Sequence, residues 1–292
     1  RNEVFDMVGK KEYAQINELL NARLDAKKVL IAVHRGAWGG NIIEGTVPSL
    51  ELALKMGADM FECDLSKSTD GVIYAFHDTQ EPRLLKTKQN VKTMTSAEID
   101  ALEFYNSIDE PSGKHVQRFE EVVKYFTHGE LFNIDRSWPI LAETHELLKD
   151  YPHVVKQAII KTPVKDEYLE FFQNCPVKYM YMPIVYNMEE LRKVLTYDNI
   201  NIVGVEAIAK TADSEMIDPE NLKWIREQGL YIWVNSINLG RGHELSGTYN
   251  DDVALSEGPD AAWGVLMDRG YNVIQTDWPS LLASYRDERF GV

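Results

Sequence analysis

The stretch Met60-Phe61-Glu62-Cys63-Asp64-Leu65 decides how the whole chain is read. Side chains alternate across a strand, so Glu62 and Asp64 share one face of an otherwise apolar segment. The turn Thr69-Asp70-Gly71 follows, and the apolar run 72–76 after it reads as the return strand of a local hairpin. Two carboxylates this close repel each other, and each raises the other's pKa. A divalent cation with oxygen ligands relieves that repulsion, and so does a shared proton.

The same strand signal recurs on both sides of this segment. Apolar runs stand at 29–33, 131–134, 155–160, 179–185, 202–208, 230–234 and 273–275. Helical patterns separate most of them, at 47–55, 119–126, 140–148, 165–172, 188–195 and 219–228. Strands separated by helices imply parallel βαβ units. With 72–76 set aside as the hairpin return, eight strands remain, which predicts a TIM (β/α)8 barrel. An open doubly wound sheet is the alternative, but neither GxGxxG nor GxxxxGK[ST] occurs.

Residues 1–28 read as a helical segment packed across one end of the barrel, with an apolar stripe of Phe5, Tyr13, Ile16, Leu19 and Leu20. Residues 29–292 read as a single domain. The polar segment 78–117, with one helical patch at 96–102, is expected to be an insertion after the second strand. The glycine-rich segment 236–262 leaves the C-terminal end of a strand, where it would form a lid or a substrate wall.

The net charge of −15 comes from 46 acidic against 31 basic residues. Such a surface repels a phosphate backbone and argues against nucleic-acid binding. An anionic substrate would then need cations placed locally. No apolar stretch reaches the roughly 18 residues of a membrane span. Cys63 and Cys175 can form at most one bridge and leave the redox compartment open. Nothing in the sequence excludes a homo-oligomer.

Chemistry-bearing residues gather at strand ends. His34-Arg35-Gly36 closes the run 29–33, and His77-Asp78 closes the run 72–76. Two histidines beside a carboxylate pair suit a general acid and a general base, and Arg35 offers a planar fork for phosphate oxygens. In Asn133-Ile134-Asp135-Arg136-Ser137, alternation puts Asp135 on one face with Asn133 and Ser137. Asp135 reads either as a third metal ligand or as the start of the next helix. Lys161 ends the run 155–160 and reads as a phosphate partner or a solvated lysine. Glu206, Trp233 and Asn235 are further inward candidates, although a barrel tryptophan is more often core.

Together these residues resemble the glycerophosphodiester phosphodiesterase family. Its pattern is HRG, ENT before a helix, GA-x-x-x-E-x-D, a T-x-D-G turn and HD. This chain reads His34-Arg35-Gly36, Glu44-Gly45-Thr46, Gly57-Ala58 through Glu62 and Asp64, Thr69-Asp70-Gly71 and His77-Asp78, in the same order across 34–78. Thr276-Asp277-Trp278-Pro279 is similar to the family's closing T-D-x-P. The resemblance implies a TIM barrel with a small insertion, and a Ca²⁺ or Mg²⁺ ion held by Glu62, Asp64 and Asp135. It implies acid–base roles for His34 and His77 and a phosphate-holding Arg35, giving hydrolysis of a small-molecule phosphodiester. Glu44, Lys161, Trp233 and Asn235 would line the substrate side.

The chain departs from the family pattern at Gly45, where Asn is usual, and at Asp135-Arg136-Ser137, where E-x-K is usual. Lys161 is expected to replace the missing lysine. Two rival readings are a lipid-acting phospholipase-like relative, which the −15 charge disfavours, and a non-catalytic phosphodiester-binding barrel. The start at Arg1 together with family habit leads to the expectation of an exported bacterial protein, periplasmic or secreted.

Overall fold

The computed structural model describes residues 7–292. In chain order its elements are α1 (Glu18–Lys27), β1 (Leu30–Val33), α2 (Val47–Lys55), β2 (Met60–Lys67) and β3 (Ile73–Ala75). Next come α3 (Glu81–Leu84), α4 (Ser96–Asp100), β4 (Glu103–Tyr105), β5 (Pro111–His115), α5 (Phe119–Tyr125) and β6 (Leu131–Asp135). The chain continues through α6 (Leu141–Leu148), β7 (Ala158–Pro163), α7 (Asp166–Asn174), β8 (Met180–Val185), α8 (Met188–Val194) and β9 (Gly204–Ala207). It ends with α9 (Pro219–Glu227), β10 (Tyr231–Asn235), α10 (Asp251–Glu257), α11 (Trp263–Arg269), β11 (Val273–Thr276) and α12 (Pro279–Phe290).

Strand β1 pairs in parallel with both β11 and β2, so the order β1-β11-β10-β9-β8-β7-β6-β2 closes on itself. That is the eight-stranded parallel barrel the sequence predicts. β3 lies antiparallel on β2, with Leu65 opposite Ala75, as the hairpin reading requires.

Alternation along the strands sorts side chains into two environments. Outward residues such as Phe61, Cys63, Phe132, Ile134 and Val234 pack with helix residues Leu50, Val122, Leu169, Leu191 and Leu222. Inward residues at the strand starts fill the lower barrel: Leu30, Met60, Leu131, Ile159, Met182 and Val273 among them. Val8, Leu20 and Leu24 close that lower end. Leu20 and Leu24 stand four residues apart on one helix face; full burial of each stabilises the fold by about 1.5–3 kcal/mol. The strand ends above are left for polar groups.

Several expectations need correction. Among the described residues of the N-terminal segment 1–28, the chain does not form one continuous helix. A 3₁₀ turn at Lys11–Tyr13 precedes α1. Gly9 takes φ 82° and donates its N–H to the Gly229 carbonyl, which fixes the chain to the barrel instead of continuing a helix. Phe5 lies outside the described residues. The run 155–160 becomes strand only at Ala158, because Pro152–Lys156 forms a 3₁₀ turn.

The segment 78–117 is more than a polar excursion. It folds α3, α4 and the β4–β5 hairpin around Leu84, Leu85, Val91, Met94, Ile99 and Phe104, a small core that also takes in Tyr74 and Phe76. The long segment after β10 carries α10, and Ala209 pairs with Ser246 to hold it beside β9. Cys63 and Cys175 are both buried and free. Among the described residues no helix is long and apolar enough to cross a membrane.

Candidate active site

The strand ends converge on a floor of carboxylates. Parallel register sets Glu62 beside Asn133 and Asp64 beside Asp135. One oxygen from each of Glu62, Asp64 and Asp135 lies within 4.8 Å of the other two. Burial pushes Glu62 well above the usual carboxylate range, and the neighbouring Asp64 adds to it. Asp64 is raised for the same reason, with Asp135 as its repelling neighbour. Burial acts on Asp135 too, but the Lys161 ammonium and a hydrogen bond with Glu62 outweigh it and hold Asp135 below its usual value.

Two cations offset part of this charge. Lys161 Nζ lies 2.9 Å from Asp135 Oδ2, 3.0 Å from Glu206 Oε2 and 3.9 Å from Glu62 Oε1. Arg35 Nε lies 3.3 Å from Asp64 Oδ2, and the Arg35 backbone N–H donates to Glu62 at 3.1 Å. Four carboxylates (Glu62, Asp64, Asp135, Glu206) against two cations leave two negative charges. Both Asp64 oxygens are buried without a hydrogen-bond donor. Oxygen-only donors, an orphaned carboxylate and two surplus negative charges fit a hard divalent cation.

His34 and His77 both lie close to Asp64, near enough that a proton on either ring would favour its charged form. His34 Nδ1 is 3.3 Å from Asp277 Oδ1. His77 Nδ1 meets the Asp78 carbonyl, an acceptor only, so Nδ1 carries the proton and Nε2 keeps its lone pair. Burial lowers the His77 pKa; Asp64 works against that, while Arg35 and Arg136 reinforce it. His77 is therefore neutral at pH 7. Arg35 is held in place by Glu44 at 3.2 Å, and Glu44 also takes Arg83.

The structure brings His34, Arg35, Glu62, Asp64, His77 and Asp135 to one place. It reassigns the other candidates. Trp233 is fully buried in the lower core, beneath the floor, and cannot touch a substrate; its indole N–H donates to Asn235. Asn235 in turn donates to Glu206 at 2.6 Å, so it is a support rather than a substrate contact. Glu44 is buried and its charge is met by two arginines. Lys161 is 3% exposed and its ammonium is engaged by carboxylates, so it braces the floor instead of standing in for a phosphate-facing lysine.

Sequence reasoning passed over Asp277 as the partner of His34, although the Thr276-Asp277 motif marked the position. It missed Asp251 altogether. Asp251 Oδ1 accepts from the Trp263 indole N–H at 2.9 Å. Its Oδ2 accepts from the Thr276 hydroxyl at 2.9 Å and the Asp277 N–H at 3.0 Å. The carboxylate thus fixes the turn that carries Asp277. Nothing local in the sequence singles Asp251 out from its neighbour Asp252.

Comparison with known proteins divides the chain in two. Residues 34–167 match the glycerophosphoryl diester phosphodiesterase family, and residues 181–286 match a domain of unknown function. A glycerophosphodiester phosphodiesterase of Bacillus subtilis is 27% identical over 236 residues, 74% of this chain and 78% of that protein. One from Bacillus altitudinis is 30% identical over 143 residues, 48% of this chain and 56% of that protein. Among solved structures, a glycerophosphoryl diester phosphodiesterase from Parabacteroides distasonis superposes with a TM-score of 0.71 at 19% identity, covering 89% of this chain and 86% of that one. An Oleispira antarctica phosphodiesterase in complex with the product sn-glycerol-3-phosphate gives 0.64 at 17% identity, over 88% and 96%. These structural likenesses carry the barrel fold.

Proposed function

The chain belongs to the glycerophosphoryl diester phosphodiesterase family, and on that premise we propose that it hydrolyses glycerophosphodiesters or related head-group phosphodiesters to an alcohol and a phosphomonoester. The observation that carries this reading is the pair of histidines close to Asp64, each with Nδ1 paired with an acceptor. Tying one ring nitrogen leaves the other, Nε2, for the substrate.

Neutral His77 accepts the proton of the attacking hydroxyl or water at Nε2. His34, with Asp277 opposite Nδ1, donates from Nε2 to the departing alkoxide. General acid–base assistance of this kind is worth about 10²–10⁴-fold. Arg35 holds the non-bridging phosphate oxygens from a guanidinium that Glu44 and Asp64 keep in place. Glu62, Asp64 and Asp135 would hold a divalent cation, with Ca²⁺ and Mg²⁺ the two that suit an all-oxygen set. When bound, such an ion supplies positive charge against the phosphate oxygens.

Release of phosphomonoester from a panel of glycerophosphodiesters, with Ca²⁺, with Mg²⁺ and with excess chelator, tests the reading. Turnover with one of the ions and its loss in chelator are expected. Undiminished turnover in chelator would remove the metal role from Glu62, Asp64 and Asp135, and no turnover of any diester would remove the activity.

A further inference from the structure

A cleft of about 420 Å³ opens beside the carboxylate floor on the His77 side, which is within the usual size of small-molecule sites. Ser66, Lys67, Asp78, Lys92, Arg136 and Trp138 are among its lining residues. Its Asp78 and Arg136 directly follow His77 and Asp135 in the chain, which sets the cleft next to the catalytic group. Its charge runs opposite to that of the chain: three cations and one carboxylate line it, in a protein of net charge −15. Setting Lys67 against Glu143 at the rim and one other cation against Asp78 still leaves one positive charge.

The cations are built in, not scattered. Asp78 is 4% exposed and organises them. Its Oδ1 accepts from Arg136 Nη2 at 2.8 Å and Nε at 3.1 Å, and its Oδ2 meets Lys92 Nζ at 2.5 Å and Asn90 Nδ2 at 3.4 Å. Those bonds occupy one edge of the Arg136 guanidinium; Nη1 has no acceptor among the described residues. Arg136 also takes φ 56°, a left-handed conformation costing roughly 1–2 kcal/mol in a residue with a Cβ. Arg35 takes the same φ after His34, the residue that follows β1. Two strand ends therefore each turn an arginine toward the site by the same backbone device.

We propose that this cleft receives a second anionic group of the substrate, a phosphomonoester or a carboxylate borne by the alcohol being released, with Arg136 and Lys92 as its ligands. The proposal rests on the phosphodiesterase reading, which puts the scissile phosphate at Arg35. Arg136 Nη1 and the half-exposed Lys92 ammonium offer the donors such an oxyanion needs. Exposed anionic surface elsewhere on the chain makes this positive cleft selective as well as attractive.

Two substrate pairs test it, each differing by one anionic group. Glycerophosphoinositol is set against glycerophosphoinositol 4-phosphate, and glycerophosphoethanolamine against glycerophosphoserine. The more anionic member of at least one pair should show about 10–100-fold higher kcat/KM, as expected for charged hydrogen bonds. The advantage should shrink with added salt. Lys92→Gln and Arg136→Gln should each move the ratio toward one. Preference in the inositol pair alone assigns a phosphomonoester cleft, and in the serine pair alone a carboxylate cleft. Equal kcat/KM within both pairs, or ratios unchanged in both variants, would overturn the proposal. Calorimetric binding of the same four compounds decides the cleft independently: turnover failing on all four counts against the catalytic reading, and binding without charge preference counts against this one.

Discussion

The two halves of the barrel contribute in different ways. Strands β1, β2, β6 and β7 and their connections carry His34, Arg35, Glu62, Asp64, His77, Asp135 and Lys161, the groups that face the reaction or lie against it. Strands β8 to β11 and the segments that follow them contribute Glu206, Asn235, Asp251 and Asp277, which touch those groups and each other. The family match at 34–167 and the match of unknown function at 181–286 divide the chain at nearly the same place. The difference shows what a motif is. Groups that must meet a ligand are fixed in type and spacing, whereas groups that hold them in place can come from anywhere the fold brings close.

The comparison breaks most easily at the histidines. His77→Ala and His34→Ala should each lower kcat by about 10²–10⁴-fold while leaving the thermal unfolding midpoint nearly unchanged, because neither side chain is part of the packed core. Near-normal turnover in either would move the acid–base pair elsewhere in the first half. Asp277→Asn asks how far the second half reaches into chemistry. Losing a charged acceptor for His34 Nδ1 should cost roughly 10–100-fold in kcat. KM should change little. A change in KM alone would make Asp277 a substrate contact instead of a support for His34.

What the sequence made legible follows the same division. Short continuous apolar runs located all eight barrel strands and the hairpin strand β3, because a strand buried on both faces allows few polar positions. Glu62, Asp64 and Asp135 were readable because each interrupts such a run on its inward face. Trp233 and Asn235 were misread for a related reason. Alternation gives the face a residue points to but not its depth, and Trp233 sits low in the barrel among Leu30, Met182 and Tyr231. The small core of the insertion was missed because its apolar residues are spread over short elements without a sustained period. Asp251 was invisible because it lies at the start of α10, where an Asp is ordinary.

Asp251 therefore gives the smallest and most specific test. Burial raises its pKa from 3.8 to about 6, against three hydrogen bonds from Trp263, Thr276 and Asp277 that favour the charged form. A carboxyl that holds its proton more tightly in the fold than in the open chain stabilises the fold fully below its unfolded pKa. That contribution is lost as pH rises through about 6. A shift of this size corresponds to about 3 kcal/mol. Asp251→Asn cannot titrate, so its unfolding free energy lacks this slope. The wild-type value minus the variant value should fall by about 2.4 kcal/mol from pH 4 to pH 7, read from urea unfolding at each pH. Activity at pH 7 should change less than a few-fold, because an amide oxygen still accepts from the Asp277 N–H and keeps that turn in place. A pH-independent difference would mean that Asp251 stays charged in the fold. A large loss of kcat would instead carry the reach of the second half one residue further back, from Asp277 to the carboxylate that holds its turn.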